Sequence, residues 1–250
     1  MRTNAEVNAA TSADDHVTPF VVLFEGRSGS TYLMEGLNSH PWVHAIFEPM
    51  VPLAKEGAES QIGFVTRFFS SPGDHRAVGF KTKLKDVLDP TRLAEELRRL
   101  QAKIILLERR NRIKLVVSLY NSVRLNEATG DWNLYDEKDR LAPAAMDPEV
   151  FISWLEKLED WNRKLRKYTS DLGLATLSLC YEDLLVEQQA TFNRVFSFLG
   201  VEPQPVTGNA RKNTSDDLRE ALPNFEVIRT SYVGTPYLEM FDEVLVHDER

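Results

Sequence analysis

One cysteine, Cys180, is all that 250 residues contain. An internal disulfide is therefore impossible and a cysteine-based metal site is disfavoured. The five histidines (His16, His40, His44, His75 and His247) are scattered, so no metal-ligand cluster is visible and no metal is expected. Long apolar runs are missing too. None approaches the ~20 residues that a membrane span requires. Excess positive charge is also lacking, because 30 Lys and Arg face 38 Asp and Glu, for a net charge of -8. That balance argues against a nucleic-acid surface. A polyanionic small molecule would have to be held by a local basic cluster on an acidic body. Residues 1–18 have no apolar core and do not read as a signal peptide. They are expected to form a disordered tail before a single domain at 19–250. The lone cysteine is compatible with a reducing compartment, and a cytoplasmic location is expected.

What is present is ordinary globular material, 42% hydrophobic and 27% charged. Short apolar runs at 19–25, 43–47, 77–82, 103–108 and 174–180 alternate with amphipathic stretches at 30–39, 56–70, 90–101, 112–127, 148–169 and 183–199. This alternation predicts an α/β fold, a mainly parallel sheet covered by helices. Asp147-Pro148 is a good cap followed by a first-turn proline, and Gly200 ends the helix before it. Trp154 and Trp161 lie at helical spacing among leucines and are expected in the core, as is Cys180. Residues 126–147 read as a long loop containing Trp132. The chain after Gly200 is loop-rich, with short helical pieces near 215–222 and 235–243.

The first strand, Phe20-Val21-Val22-Leu23-Phe24, stops at Glu25-Gly26-Arg27-Ser28-Gly29, and a helix opens on Ser30-Thr31-Tyr32. Free N–H groups at a helix start and small residues in the turn make an anion cradle. It is not a nucleoside-triphosphate loop, which needs four residues between its glycines and then Lys-Ser/Thr. Here only Arg27 and Ser28 separate Gly26 from Gly29. Arg27 supplies the charge instead, as a planar fork suited to a multi-oxygen anion.

A second cluster follows the fourth strand, Glu108-Arg109-Arg110-Asn111-Arg112. Ligands of open α/β sheets bind beyond the carboxyl ends of the strands. Arg110 stands at such an end, and Ser118 lies two helical turns on. Three arginines at a helix start oppose the helix dipole unless an anion offsets them. They are either a solvated helix start or part of a site. A third basic stretch, Arg211-Lys212-Asn213-Thr214, is weak by itself. Glu48 follows the second strand, as a base, a cap or an ion-pair partner. Lys81 and Lys83 end the third strand on one face, for chemistry or for the surface.

These segments, taken in order, resemble the sulfotransferase superfamily that uses 3′-phosphoadenosine 5′-phosphosulfate (PAPS), over most of residues 19–240. Arg27-Ser28-Gly29-Ser30-Thr31 looks like that family's phosphosulfate loop in its Arg-containing, carbohydrate-type form, with Tyr32 beside it. The Lys of the cytosolic small-molecule branch is absent. Arg110 and Ser118 are similar to the pair that holds the 3′-phosphate. Tyr181-Glu182-Asp183-Leu184 resembles the segment whose Tyr lies near the adenine, and Arg211-Lys212-Asn213-Thr214 the late loop that closes over the 3′-phosphate. Arg109 to Arg112 and Thr129-Gly130-Asp131-Trp132 are similar to bacterial trehalose-type enzymes. The resemblance implies a three-layer α/β fold related to nucleotide kinases, with PAPS as donor, 3′,5′-bisphosphate adenosine (PAP) as product, and no metal. It also implies a small, polar or carbohydrate-like acceptor, Glu48 as general base, and a catalytic part for Arg27 and Lys81. The alternatives are a catalytically silent nucleotide- or partner-binding protein of this fold, and a small-molecule kinase.

Overall fold

The computed structural model describes residues 17–206 and 214–245. Its first half runs β1 (Thr18–Phe24), α1 (Ser30–Asn38), β2 (Val43–Phe47), α2 (Met50–Leu53), α3 (Ala58–Ser70) and β3 (Ala77–Thr82). A 3₁₀ turn (Leu84–Asp86), α4 (Pro90–Arg99), β4 (Lys103–Glu108), α5 (Arg112–Thr129) and α6 (Pro148–Leu172) follow. The chain closes with β5 (Thr176–Cys180), α7 (Tyr181–Val186), α8 (Gln188–Leu199), α9 (Leu218–Ala221), α10 (Phe225–Thr230) and α11 (Leu238–Asp242).

The strands form one parallel sheet in the order β2-β3-β1-β4-β5. β1 lies at its centre because it is apolar on both faces. Phe20, Val22 and Phe24 pack with α1 and α8, while Val21 and Leu23 pack with α4 and α6. Period-two alternation of a fully apolar strand demands that both faces be covered. A third apolar cluster joins α5 and α6 to the short helices of the C-terminal region. No helix of the described residues is long and apolar enough to cross a membrane.

Register decides what meets at the carboxyl edge. Leu23 of β1 pairs with Thr82 of β3 and Leu106 of β4, and Phe47 of β2 pairs with Lys81. The residues that leave β1, β2, β3 and β4 therefore emerge side by side. This edge is also where the chain crosses from one half of the sheet to the other, the switch point of an open α/β sheet.

The predicted helix 183–199 is two helices, broken at Glu187, whose φ of -125° and ψ of 46° are not helical. The helix expected at 56–70 starts later, because Gly57 at φ 102° holds a conformation outside the helix. α2, the 3₁₀ turn and α10 are too short for a periodicity argument to find.

Candidate active site

The turn after β1 is built by its own small residues. Ser28 donates from its N–H (3.3 Å) and its hydroxyl (2.6 Å) to the Glu25 carbonyl, which folds the chain back. Arg27 and Gly29 take φ of 69° and 79°. Gly29 is required twice, by that φ and because a Cβ there would lie inside the Tyr181 ring. No side chain caps α1. Its first N–H groups therefore face the cavity with the positive end of the helix dipole behind them.

Arg27 reaches across this turn. Its Nη1 donates to the Trp132 carbonyl (3.0 Å) and to Asn133 Oδ1 (2.8 Å), and its Nε to Ser118 Oγ (3.4 Å). None of these partners is charged. Burial, then the repulsion of Arg109, pushes its pKa down to about 10.

The three arginines after β4 separate. Arg112 donates to both Glu25 oxygens (2.7 and 2.9 Å) and to Glu159 (3.0 Å), tying the end of β1 to α5 and α6. Arg110, expected to hold a phosphate, does not line the cavity. Its exposed guanidinium donates to Asp183 (2.8 Å), and its backbone N–H donates to Glu182 (3.0 Å). Arg109, beside it in sequence, is the arginine that faces the cavity. That guanidinium lines the cavity, lies 4.9 Å from the Tyr181 ring centre and points Nη1 at the Arg27 carbonyl (3.5 Å). Among the described residues its buried Nε has no hydrogen-bond partner. Burial lowers its pKa. Two of the three cations form ion pairs with carboxylates, and among the described residues the third forms none.

On the other side of β1, Lys81 is 2% exposed and donates to the hydroxyls of Ser30 (3.1 Å) and Thr31 (3.3 Å). It also stands 3.3 Å from Glu48 Oε1, while Lys83 contacts Glu48 Oε2 and lies 3.4 Å from Asp86. Burial pushes the Glu48 carboxyl upward, but the Lys83 hydrogen bond and the two ammonium charges outweigh it. Its pKa falls below the usual carboxylate range. Lys81 is lowered, by burial first and against the pull of Glu48. Glu48 has φ 44°, a conformation that a non-glycine residue rarely takes and that collects at functional sites.

One cavity of about 1000 Å³ joins these groups. Arg27, Gly29, Ser30, Thr31 and Tyr32 line it, with Glu48, Lys83, Arg109, Ser118, Tyr181 and Thr214. Ser28 lies buried behind the turn. Arg211, Lys212 and Asn213 lie outside the described residues. Trp161, expected in the core, is 43% exposed on the cavity wall, where Lys85 stacks over it at 5.6 Å. Trp154 packs partly buried against the third apolar cluster, and Cys180 is half-buried. Asn133, Tyr135 and Asp86 also line the cavity and were not expected there. Polar loop composition is their only signal. Among the described residues no group of His, Cys, Asp and Glu is arranged to hold a metal.

No family model matches the chain. Nodulation protein H of Rhizobium tropici is 23% identical to it over 239 residues, which cover 90% of this chain and 93% of that protein. A crystal structure of a sulfotransferase from Alicyclobacillus acidocaldarius superposes with a TM-score of 0.50 at 17% identity, covering 90% of this chain and 96% of its own. The sulfotransferase domain of the Synechococcus PCC 7002 olefin synthase gives 0.49 at 18% identity, covering 93% of this chain and 90% of that one. The Alicyclobacillus superposition shows a shared three-layer fold.

Proposed function

We infer that the chain belongs to the PAPS-dependent sulfotransferase superfamily and is an enzyme that moves a sulfuryl group from PAPS to an acceptor hydroxyl. The relatives and the motif order support the class. One observation carries the reading: the turn after β1, Arg109, Glu48 and Lys83 line the same cavity, with Lys81 linking Glu48 to the Ser30 and Thr31 hydroxyls. A donor with phosphates at both ends of a ribose fits that charge pattern. The free N–H groups of the turn and of α1, with Arg27, would hold the 5′-phosphosulfate. Arg109, with Ser118, would meet the 3′-phosphate, and the Tyr181 ring offers a flat wall for the base.

In-line transfer leaves the protein to position the reactants and stabilise charge. The acceptor hydroxyl attacks sulfur, its proton passes to Glu48, and the sulfur–oxygen bond to the donor phosphate breaks. A lowered pKa keeps Glu48 ionised and able to accept that proton at neutral pH. Lys81, at the Ser30 and Thr31 hydroxyls, stands where charge builds on the departing phosphate. The acceptor side carries three partly exposed rings, Trp132, Tyr135 and Trp161. Such rings suit a polar, carbohydrate-like acceptor whose C–H face can stack on them.

Thermal-shift titration tests the donor. PAP at 100 times its Kd should add ~2.7 kcal/mol of stability, and ATP with magnesium should add none. Stabilisation by ATP instead would favour a kinase. Incubation with PAPS and a panel of hydroxyl acceptors, read by product mass, tests the transfer. Binding of PAP without any product would leave a silent binding protein. Glu48→Gln should lower turnover at least ~100-fold while PAP still binds; near-normal turnover removes Glu48 from the mechanism.

A further inference from the structure

We propose that Lys83 is a positioning residue for the acceptor proton: it holds the Glu48 carboxylate at the cavity wall and keeps Asp86 as its charged partner once Glu48 has taken the proton. This rests on the reading of Glu48 as the base.

Glu48 follows the last residue of β2 at φ 44°, outside regular structure. Its carboxylate is placed by two ammonium groups, Lys81 at Oε1 and Lys83 at Oε2. Their situations differ. Lys81 is buried and already donates to Ser30 and Thr31. Lys83 is more exposed, lies 5.1 Å from the Phe24 ring centre and stands between two carboxylates, Glu48 and Asp86. The charged groups around Glu48 are thus Lys81 and Lys83 from β3 and its exit, and Asp86 from the 3₁₀ turn. Arg27 of the first turn acts on Lys81. Among Glu48, Lys81, Lys83 and Asp86, two positive charges balance two negative ones.

Proton transfer breaks that balance in a useful direction. The acceptor O–H bond breaks and its proton moves to Glu48, the acceptor O–S bond forms, and the S–O bond to phosphate breaks with its electron pair on the phosphate oxygen. Glu48 becomes neutral, so the cluster gains one positive charge as the departing nucleotide gains one negative charge. Lys83 keeps a carboxylate in Asp86. The charge of Lys81 is then unbalanced, and it faces the phosphate cradle. A lysine suits this exchange because its three donors rotate about a point charge and can release one partner while keeping another.

The test compares Lys83→Met, Lys83→Arg, Asp86→Asn and Glu48→Gln. Three readouts are used: PAP affinity, the carboxyl titration of Glu48 by ¹³C NMR in the unloaded protein, and turnover of PAPS with water as acceptor. In Lys83→Met the Glu48 titration should rise by about one pH unit or more, as expected on losing an opposite charge at contact distance. Turnover should fall roughly 10–100-fold with PAP affinity unchanged. Lys83→Arg should restore the titration. Asp86→Asn, which keeps the side chain's shape, should lower turnover with Glu48 still ionised. An unmoved Glu48 titration in Lys83→Met would overturn the proposal, and so would PAP affinity falling in step with turnover. A dead Glu48→Gln beside a normal Lys83→Met removes Lys83 alone. An active Glu48→Gln removes the base itself.

Discussion

A cation held without a carboxylate is costly, and Arg109 is one: among the described residues its buried Nε has no hydrogen-bond partner and its Nη1 reaches only the Arg27 carbonyl at 3.5 Å. Leaving such a charge uncompensated is destabilising by amounts that only a ligand or a partner offsets. Arg109→Met should therefore leave the unloaded protein at least as stable as before, while weakening PAP by roughly 10–100-fold, the worth of one or two charged hydrogen bonds. Arg110→Met should do neither, since Arg110 is exposed and spends its donors on Asp183. Calorimetric titration of PAP with both variants decides between them, and a larger loss in Arg110→Met would restore the expectation drawn from spacing. The sequence placed two arginines at a strand end but could not say which one turned inward. That choice depends on Glu182 and Asp183, more than 70 residues away, which take the N–H and the guanidinium of Arg110. Trp161 is a similar case. Helical spacing puts it beside core leucines, and only the packing of α6 leaves its ring on the cavity wall.

At the scale of elements, what was legible was what depends on local order. The five strands, the long helices and the turn after β1 follow from apolar runs, caps and glycine. Asp147 caps α6 by accepting from Glu149 and Val150, as Asp147-Pro148 suggested. Strand order was not legible, because pairing β1 with both β3 and β4 is a long-range choice. What fixes β1 against its helices is the Glu25–Arg112 pair. Both side chains are buried, and the same guanidinium also donates to Glu159 and to the Leu158 carbonyl (2.9 Å). Glu25→Gln leaves Arg112 with only the partly exposed Glu159 as a charged partner, so it should lower stability, by less than the ~3–5 kcal/mol of a fully stranded buried charge, read from urea unfolding. The turn begins at Glu25, and its carbonyl holds Ser28. The folded fraction should bind PAP more weakly as well. Unchanged urea midpoints would mean that the pair contributes nothing net, as some buried pairs do when their desolvation matches their attraction.

The whole molecule is acidic, while Arg27 and Arg109 put positive charge at one end of the cavity, and these two facts act at different distances. At net charge -8 the body repels a polyanionic nucleotide from afar. Arg27 and Arg109, both without carboxylate partners among the described residues, attract it only once it is near. Salt screens exposed charges beyond about 8–10 Å at physiological strength and leaves buried pairs largely intact. Raising salt from ~10 mM to ~150 mM, over which the screening length shortens from about 30 to 8 Å, should therefore speed PAP association. Dissociation should also speed up, but less. Stopped-flow tryptophan fluorescence can separate the two rates, because Trp132 and Trp161 line the cavity. Most nucleotide sites on basic surfaces lose association rate as salt rises, through lost steering. Such a fall here would mean that the field of the cavity reaches past the acidic surface, and that donor capture is steered from a distance rather than decided at contact.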